Sequence, residues 1–164
     1  MITPTKKLYE NDSYIKEFSA TVLSCEEKDG AYLVVLNQTA FFPEGGGQDA
    51  DKGKIEEADV LDVQIKNDVI YHKVNKPFNV NEEVTCTLDW ETRFSRMQNH
   101  TGEHIVSGVI HSLFGYNNVG FHMNDTLVTL DVDGPLSDED IKKVELKANN
   151  AIYENKSIKA IYPT

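Results

Sequence analysis

No run of about 18 consecutive apolar residues occurs in the chain, so no segment of it can cross a bilayer as a helix. Its beginning, MITPTKKLYENDSY, lacks the apolar core of a secretory signal. A cytoplasmic protein with no membrane partner is the expectation. Cysteine is nearly missing: Cys25 and Cys86 are the only two. Each lies in an apolar, strand-like run, and neither belongs to a Cys-x-x-Cys or Cys-x-x-x-His spacing. That excludes a disulfide framework and a cysteine-based zinc half-site, and leaves two buried thiols without a role. Basic residues are also few, 16 against 27 acidic ones, for a net charge of −11. Affinity for phosphate comes mainly from Lys and Arg, so a sequence-independent nucleic-acid binder is disfavoured. One RNA could still be held through a local basic patch. Walker loops, dinucleotide fingerprints, repeats and low-complexity linkers are all missing.

What is present divides by periodicity. A chain of 164 residues fits one domain or two small ones. From Ser13 to about Leu88, short strands alternate with turn signals. SYIKEFSATVLSCEE and AYLVVLN flank KDG and predict a hairpin, and VLDVQI and VIYHKV around KND predict a second. EEVTCTLDW closes the set, which suggests a small β-barrel or sandwich. At Asp89 the rhythm becomes helical. Asp89 can cap a helix from Trp90, with Trp90, Phe94, Met97, Thr101, Ile105, Gly108 and Ser112 on one stripe and Gly115 as the stop. DTLVTLDVDG alternates as a strand, with Val128, Leu130 and Val132 on one face. Ser137 then opens a second helix whose buried stripe is Ile141, Val144, Ala148, Ala151 and Ile152. Residues 157–164, SIKAIYPT, resemble a strand. The fold class expected is α+β: a β-barrel domain over residues 1–88, then part of an α+β domain over 89–164.

Two stretches carry chemistry. On the first helix His100 and His104 project about 40° apart, beside the apolar stripe, where an i, i+4 pair can aim both imidazoles at one ion. His111 shares their flank but lies about 10 Å further along the axis and cannot join them. The second stretch is FFPEGGGQDADKG, residues 41–53. Three consecutive glycines suit a backbone that must visit positive φ or approach something closely. Here Gly45, Gly46 and Gly47 precede Gln48, Asp49 and Asp51.

Together, FFPEGGGQDADKG and the later RMQNHTGEHIVSGVIHSLFG resemble the editing module of alanyl-tRNA synthetase and its freestanding relatives, the AlaX proteins. GFHMNDTLVTLDVDGPLSDEDIKKVELKANNAIYEN continues the likeness, which covers nearly the whole chain from residue 13. The resemblance implies a deacylase that removes serine or glycine from mischarged tRNA(Ala), binding the acceptor end. It implies a barrel of the translation-factor type and a zinc ion held by His100 and His104 plus a later Cys-x-x-x-His pair. On the same ground Gly45, Gly46, Gly47 and Gln48 would wall the pocket, Gln48 and His122 would be catalytic, and Glu103 would contact substrate. Arg93, Arg96, Lys52 and Lys54 are the candidate tRNA contacts. His72, in a predicted hairpin, receives no function.

The chain departs from this pattern twice. No Cys-x-x-x-His follows His104 and no cysteine follows Cys86. The zinc site is therefore a half-site, the chain reads as a fragment of a longer protein, and by itself it should bind zinc weakly and act little. The residue before the second histidine, often threonine in the synthetases, is Glu103, which could equally be plain helix surface. Two other readings stay open. One is a non-catalytic RNA-binding or interaction module of the same fold. The other is a metalloprotease of the inverzincin type, since HTGEH fits His-x-x-Glu-His with Glu103 as general base and Glu139, Glu145 or Glu154 as a further ligand.

Overall fold

The computed structural model describes residues 3–124, 126–159 and 161. The chain divides into two compact units, Met1–Ser95 and Arg96–Thr164, and its fold mixes α and β.

The first unit is built from strands. Strands β1 (Lys6–Lys7) and β4 (Gln38–Thr39) form a short parallel pair. The remaining six are β2 (Glu17–Lys28), β3 (Ala31–Leu36), β5 (Gly53–Ile55), β6 (Ala58–Lys66), β7 (Val69–Val74) and β8 (Glu83–Leu88). They follow one another through hydrogen bonds in the order β2-β3-β7-β6-β5-β8, and β8 pairs back onto β2, closing a barrel. Local chemistry sets its corners. β2 and β3 are joined by Asp29 and Gly30, both at positive φ, and β6 and β7 by Asn67 and Asp68, both at positive φ. Two central residues at positive φ define the turn whose twist matches that of paired strands. Alternation then fills the interior: β8 reads exposed-buried along its length, with Val84, Cys86 and Leu88 inside. Val22, Leu36, Phe41, Ile55, Val63, Ile70 and Val74 complete the core from the other elements.

Of the two thiols expected to be buried, Cys86 is fully so, and burial, with help from Glu56, pushes its pKa up to about 12. Cys25 is only half-buried, because β2 runs on past the barrel core towards its turn, and its sulfur accepts a hydrogen bond from Phe78 N.

Helix α1 (Trp90–Phe114) begins where expected. Asp89 accepts from Thr92 N at 3.2 Å and from Thr92 Oγ1 at 2.8 Å. Gly115, at φ +75°, ends it by donating to His111 O. Arg93, in its first turn, is bonded to Asp51 of the first unit.

The second unit holds the rest of α1, a hairpin of β9 (Asn118–Met123) and β10 (Val128–Val132), and α2 (Asp138–Tyr153). Ser137 and Asp140 form a reciprocal capping box at the start of α2. Two expectations fail here. On α2 only Val144 and Ala148 are buried, while Ile141 and Ile152 are about half exposed. The strand expected at 157–164 is not seen over 157–159 or at 161, and its other positions lie outside the described residues. No described helix is long and apolar enough to cross a membrane.

Candidate functional site

In the barrel unit the triple glycine is a tight turn. Gly45 and Gln48 exchange both backbone hydrogen bonds at 3.1 Å, and Gly46 and Gly47 occupy the centre at φ +60° and +82°. Gln48 is buried behind the turn, whereas Gly45 and Gly46 face solvent. Three residues later stands Asp51, 1% exposed. Its Oδ2 accepts from Phe42 N at 2.7 Å and pairs with the Arg93 guanidinium, whose Nε lies 2.9 Å away. Arg93 also donates to the carbonyls of Ser13 and Ala40. The loop is therefore fastened at both ends of its run to the first turn of α1.

About two helical turns after Arg93 along α1 come the histidines. Positions four apart stack on one side of a helix, and the rings of His100 and His104 are 5.0 Å apart between centroids, inclined by only 20°. Phe121 of β9 packs on His100 at 5.2 Å. Burial holds the His100 imidazole below its ordinary pKa, His104 adds to this, and Glu103 opposes it. A neutral ring is the metal-binding form. Glu103 is not helix surface: it is 5% exposed, receives a hydrogen bond from Asn118 Nδ2 at 2.8 Å and lies 3.3 Å from His104 Nδ1. Among the described residues, His100, Glu103 and His104 each offer one ligand atom, all within 4.8 Å of one another. Two imidazoles and a carboxylate are a donor set suited to zinc and similar divalent ions.

Comparison with known proteins bears on this arrangement. The model of the family described as tRNA synthetases class II (A) matches residues 6–92, more than half of the chain. The chain belongs to the class II (A) tRNA synthetase family. Similarity runs on past the family match and through the histidines. The alanine–tRNA ligase of Ignicoccus hospitalis is 36% identical over 96% of this chain, which corresponds to 18% of that protein. The alanyl-tRNA editing protein AlaX-L of Pyrococcus horikoshii is 34% identical over 90% of the chain and 38% of its own length. The alanyl-tRNA editing protein Aarsd1 of Bos taurus is 34% identical over 87% and 35%. The chain thus spans less than two-fifths of these relatives.

For this member of the family, the residues singled out in the sequence divide into three groups. His100, His104 and Glu103 come together on α1. Gly45, Gly46, Gly47 and Gln48 form one turn in the barrel unit. His122 joins neither group: Phe121 turns towards His100, so alternation along β9 sends His122 to the opposite, exposed face of the hairpin. The arginines also differ from expectation. Arg93 and Arg96 are 4% and 2% exposed, and so are not surface contacts for a nucleic acid. Lys52 and Lys54 are exposed and line a groove of about 400 Å3 with Asp59, Thr87 and Asp89, although Lys54 is paired with Asp59 at 3.2 Å. Asp51 as partner of Arg93, and Asn118 as partner of Glu103, were not found from sequence. The residues of each pair lie 42 and 15 positions apart, beyond any local spacing rule.

Proposed function

We propose that the chain is part of a cytoplasmic aminoacyl-tRNA deacylase that hydrolyses Ser- and Gly-tRNA(Ala), with His100 and His104 as half of its zinc site. The observation that carries this reading is the stacked histidine pair on α1, in a chain whose relatives are named as alanyl-tRNA editing proteins. The barrel would be of the translation-factor type, and the polypeptide a part of a longer editing protein.

The chemistry asks little of the protein. An aminoacyl ester is already labile, so most of the work is to orient it and admit water. A zinc ion held in part by His100 and His104 would supply Lewis acidity there. The backbone of Gly45, Gly46 and Gly47 has no side chain to keep an acceptor end away, and Gln48 offers an amide behind it. Of the four basic residues singled out in the sequence, the exposed Lys52 and Lys54 would meet phosphate. A site that hydrogen-bonds the serine hydroxyl rejects alanine far better than an apolar pocket could reject serine. A protease reading is weaker, since the Glu103 carboxylate faces Asn118 and His104 from a buried position and is not placed as a base for water.

The test is deacylation of Ser-, Gly- and Ala-tRNA(Ala) by the full-length polypeptide that contains this chain, at saturating zinc, beside its His100→Ala and His104→Ala variants. Ser- and Gly-tRNA(Ala) should be hydrolysed at least ~100-fold faster than Ala-tRNA(Ala), and either substitution should remove most of the activity. Binding of tRNA(Ala) with no histidine-dependent hydrolysis would favour the non-catalytic module instead.

A further inference from the structure

Glu103 has an arrangement that neither a substrate contact nor a surface residue explains. A carboxylate is costly to bury unless its oxygens are partnered. Here each oxygen faces a different residue. Oε1 accepts from Asn118 Nδ2, 2.8 Å away at the start of β9, and Oε2 lies 3.3 Å from His104 Nδ1. The His104 side chain is 71% exposed while that of Glu103 is 2% exposed, so the contact reaches outward from buried carboxylate to open ring.

An ionised carboxylate can only accept, so a hydrogen bond to Nδ1 requires the proton on that nitrogen. The neutral ring is then the Nδ1–H tautomer, and its Nε2 carries the free lone pair. Without such a partner an exposed imidazole is fixed in neither tautomer nor rotamer. The ligand atom of Glu103 lies within 4.8 Å of those of the two rings, but both carboxylate oxygens already face partners of their own, Asn118 and His104. Carboxylates that hold a ligating histidine by its other nitrogen are a recurrent outer layer of metal sites.

We propose that Glu103, held by Asn118, is a positioning residue that fixes His104 in the Nδ1–H tautomer and leaves Nε2 as its metal-facing donor. This rests on the histidine pair being the metal site proposed above, but its first readout needs no metal. In the metal-free chain at about pH 8, long-range 1H–15N spectra of the imidazoles report each tautomer directly. Wild-type His104 should be Nδ1–H. Glu103→Ala should lose that preference, and Glu103→Gln, whose amide oxygen still accepts, should restore it. Should Glu103→Ala fail to fold by circular dichroism, Asn118→Ala changes an exposed position and should relax the preference in a folded chain.

Zinc affinity, measured by competition with a chromophoric chelator, is the second readout. Glu103→Ala should weaken it about 10- to 100-fold, with Glu103→Gln much closer to wild type. A wild-type ring without Nδ1–H preference, or a Gln variant as weak as Ala, would overturn the proposal in favour of direct ligation. Unchanged zinc uptake in His100→Ala would instead overturn the metal reading, while the metal-free spectra still decide the role of Glu103.

Discussion

The His72 ring has no exposure and lies in the barrel, with Nδ1 3.1 Å from Val34 O and Nε2 2.9 Å from Thr39 Oγ1. A carbonyl only accepts, so Nδ1 carries the proton, donates it to Val34, and Nε2 accepts from the Thr39 hydroxyl. The neutral ring therefore uses both nitrogens. Burial lowers its pKa from 6.5 to about 4, although the Val34 carbonyl favours the charged form. The unfolded chain takes up this proton near the ordinary value and the folded chain only near the lowered one. The contribution of His72 is thus complete above that ordinary pKa and is lost as pH falls towards the lowered one. Acidification from about pH 7.5 to 5 should cost the wild type about 2 kcal/mol more than it costs His72→Phe, measured as urea unfolding free energies. Equal losses would show that the ring does not titrate this way. Two glycines give a second contrast at this scale. A Cβ on Gly53 would meet Thr87 O at 2.2 Å and Leu88 Cα at 2.9 Å, both main-chain atoms that cannot swing aside. One on Gly46 meets nothing within 4 Å, although its φ is +60°. Gly53→Ala should cost more than about 3 kcal/mol and Gly46→Ala about 1–2, the strain alone, in thermal unfolding. The triple glycine draws the eye in the sequence, yet the packing constraint falls on the later, solitary one.

Helix α1 shows at the scale of elements what a sequence can and cannot disclose. Its ends were legible, because Asp89 and Gly115 act through groups within a few residues of themselves. The same holds for Ser137 on α2 and for the two-residue turns at 29–30 and 67–68. Its buried face was not. The apolar stripe through Trp90, Phe94 and Met97 lies roughly 140° round the helix from the buried positions Arg93, Arg96, Glu103 and Ile110. Phe94 and Ser112 are exposed. Hydropathy cannot foresee this, since the charged side chains are buried by partners remote in sequence. On α2 the pattern placed Val144 and Ala148 correctly but extended the stripe to Ile141 and Ile152, which nothing covers among the described residues. The histidine pair was legible because its spacing is itself the geometry. The Asp51–Arg93 pair is the strongest test of the buried-charge argument. Removing one member leaves an unpaired charge in a dry place, so Asp51→Ala or Arg93→Ala should each cost about 3–5 kcal/mol. The double variant Asp51→Leu with Arg93→Met should recover much of that loss. Urea unfolding followed by the fluorescence of Trp90, the only tryptophan, reads all three. A double variant no more stable than the singles would mean that the pair is worth more than its desolvation.

Across the whole molecule, apolar burial is shared unequally. The core cluster of the barrel unit draws on sixteen buried residues between Phe18 and Leu88. Among the described residues from Arg96 onward, the buried apolar side chains are Ile110, Met123, Val144 and Ala148. Each fully buried large side chain contributes about 1.5–3 kcal/mol, while ordering each residue costs at least about 1 kcal/mol. So small a core leaves the second unit with little margin, and that unit carries His100, Glu103 and His104. The chain should therefore not unfold as one two-state body. Ellipticity at 222 nm, dominated by α1 and α2, should fall at a lower temperature than the fluorescence of Trp90, which lies in the barrel unit against Lys16 and Tyr14. Zinc binding only the folded histidine pair adds RT ln(1 + [Zn]/Kd), about 2.7 kcal/mol at a hundredfold excess over Kd. For a unit this small that is a shift on the order of 10 °C in the ellipticity transition. The fluorescence transition should stay where it was, and a chelator should reverse the change. Coincident transitions that move together with zinc would show one cooperative body and contradict this division. A zinc shift in fluorescence alone would place the metal in the barrel unit, away from His100 and His104.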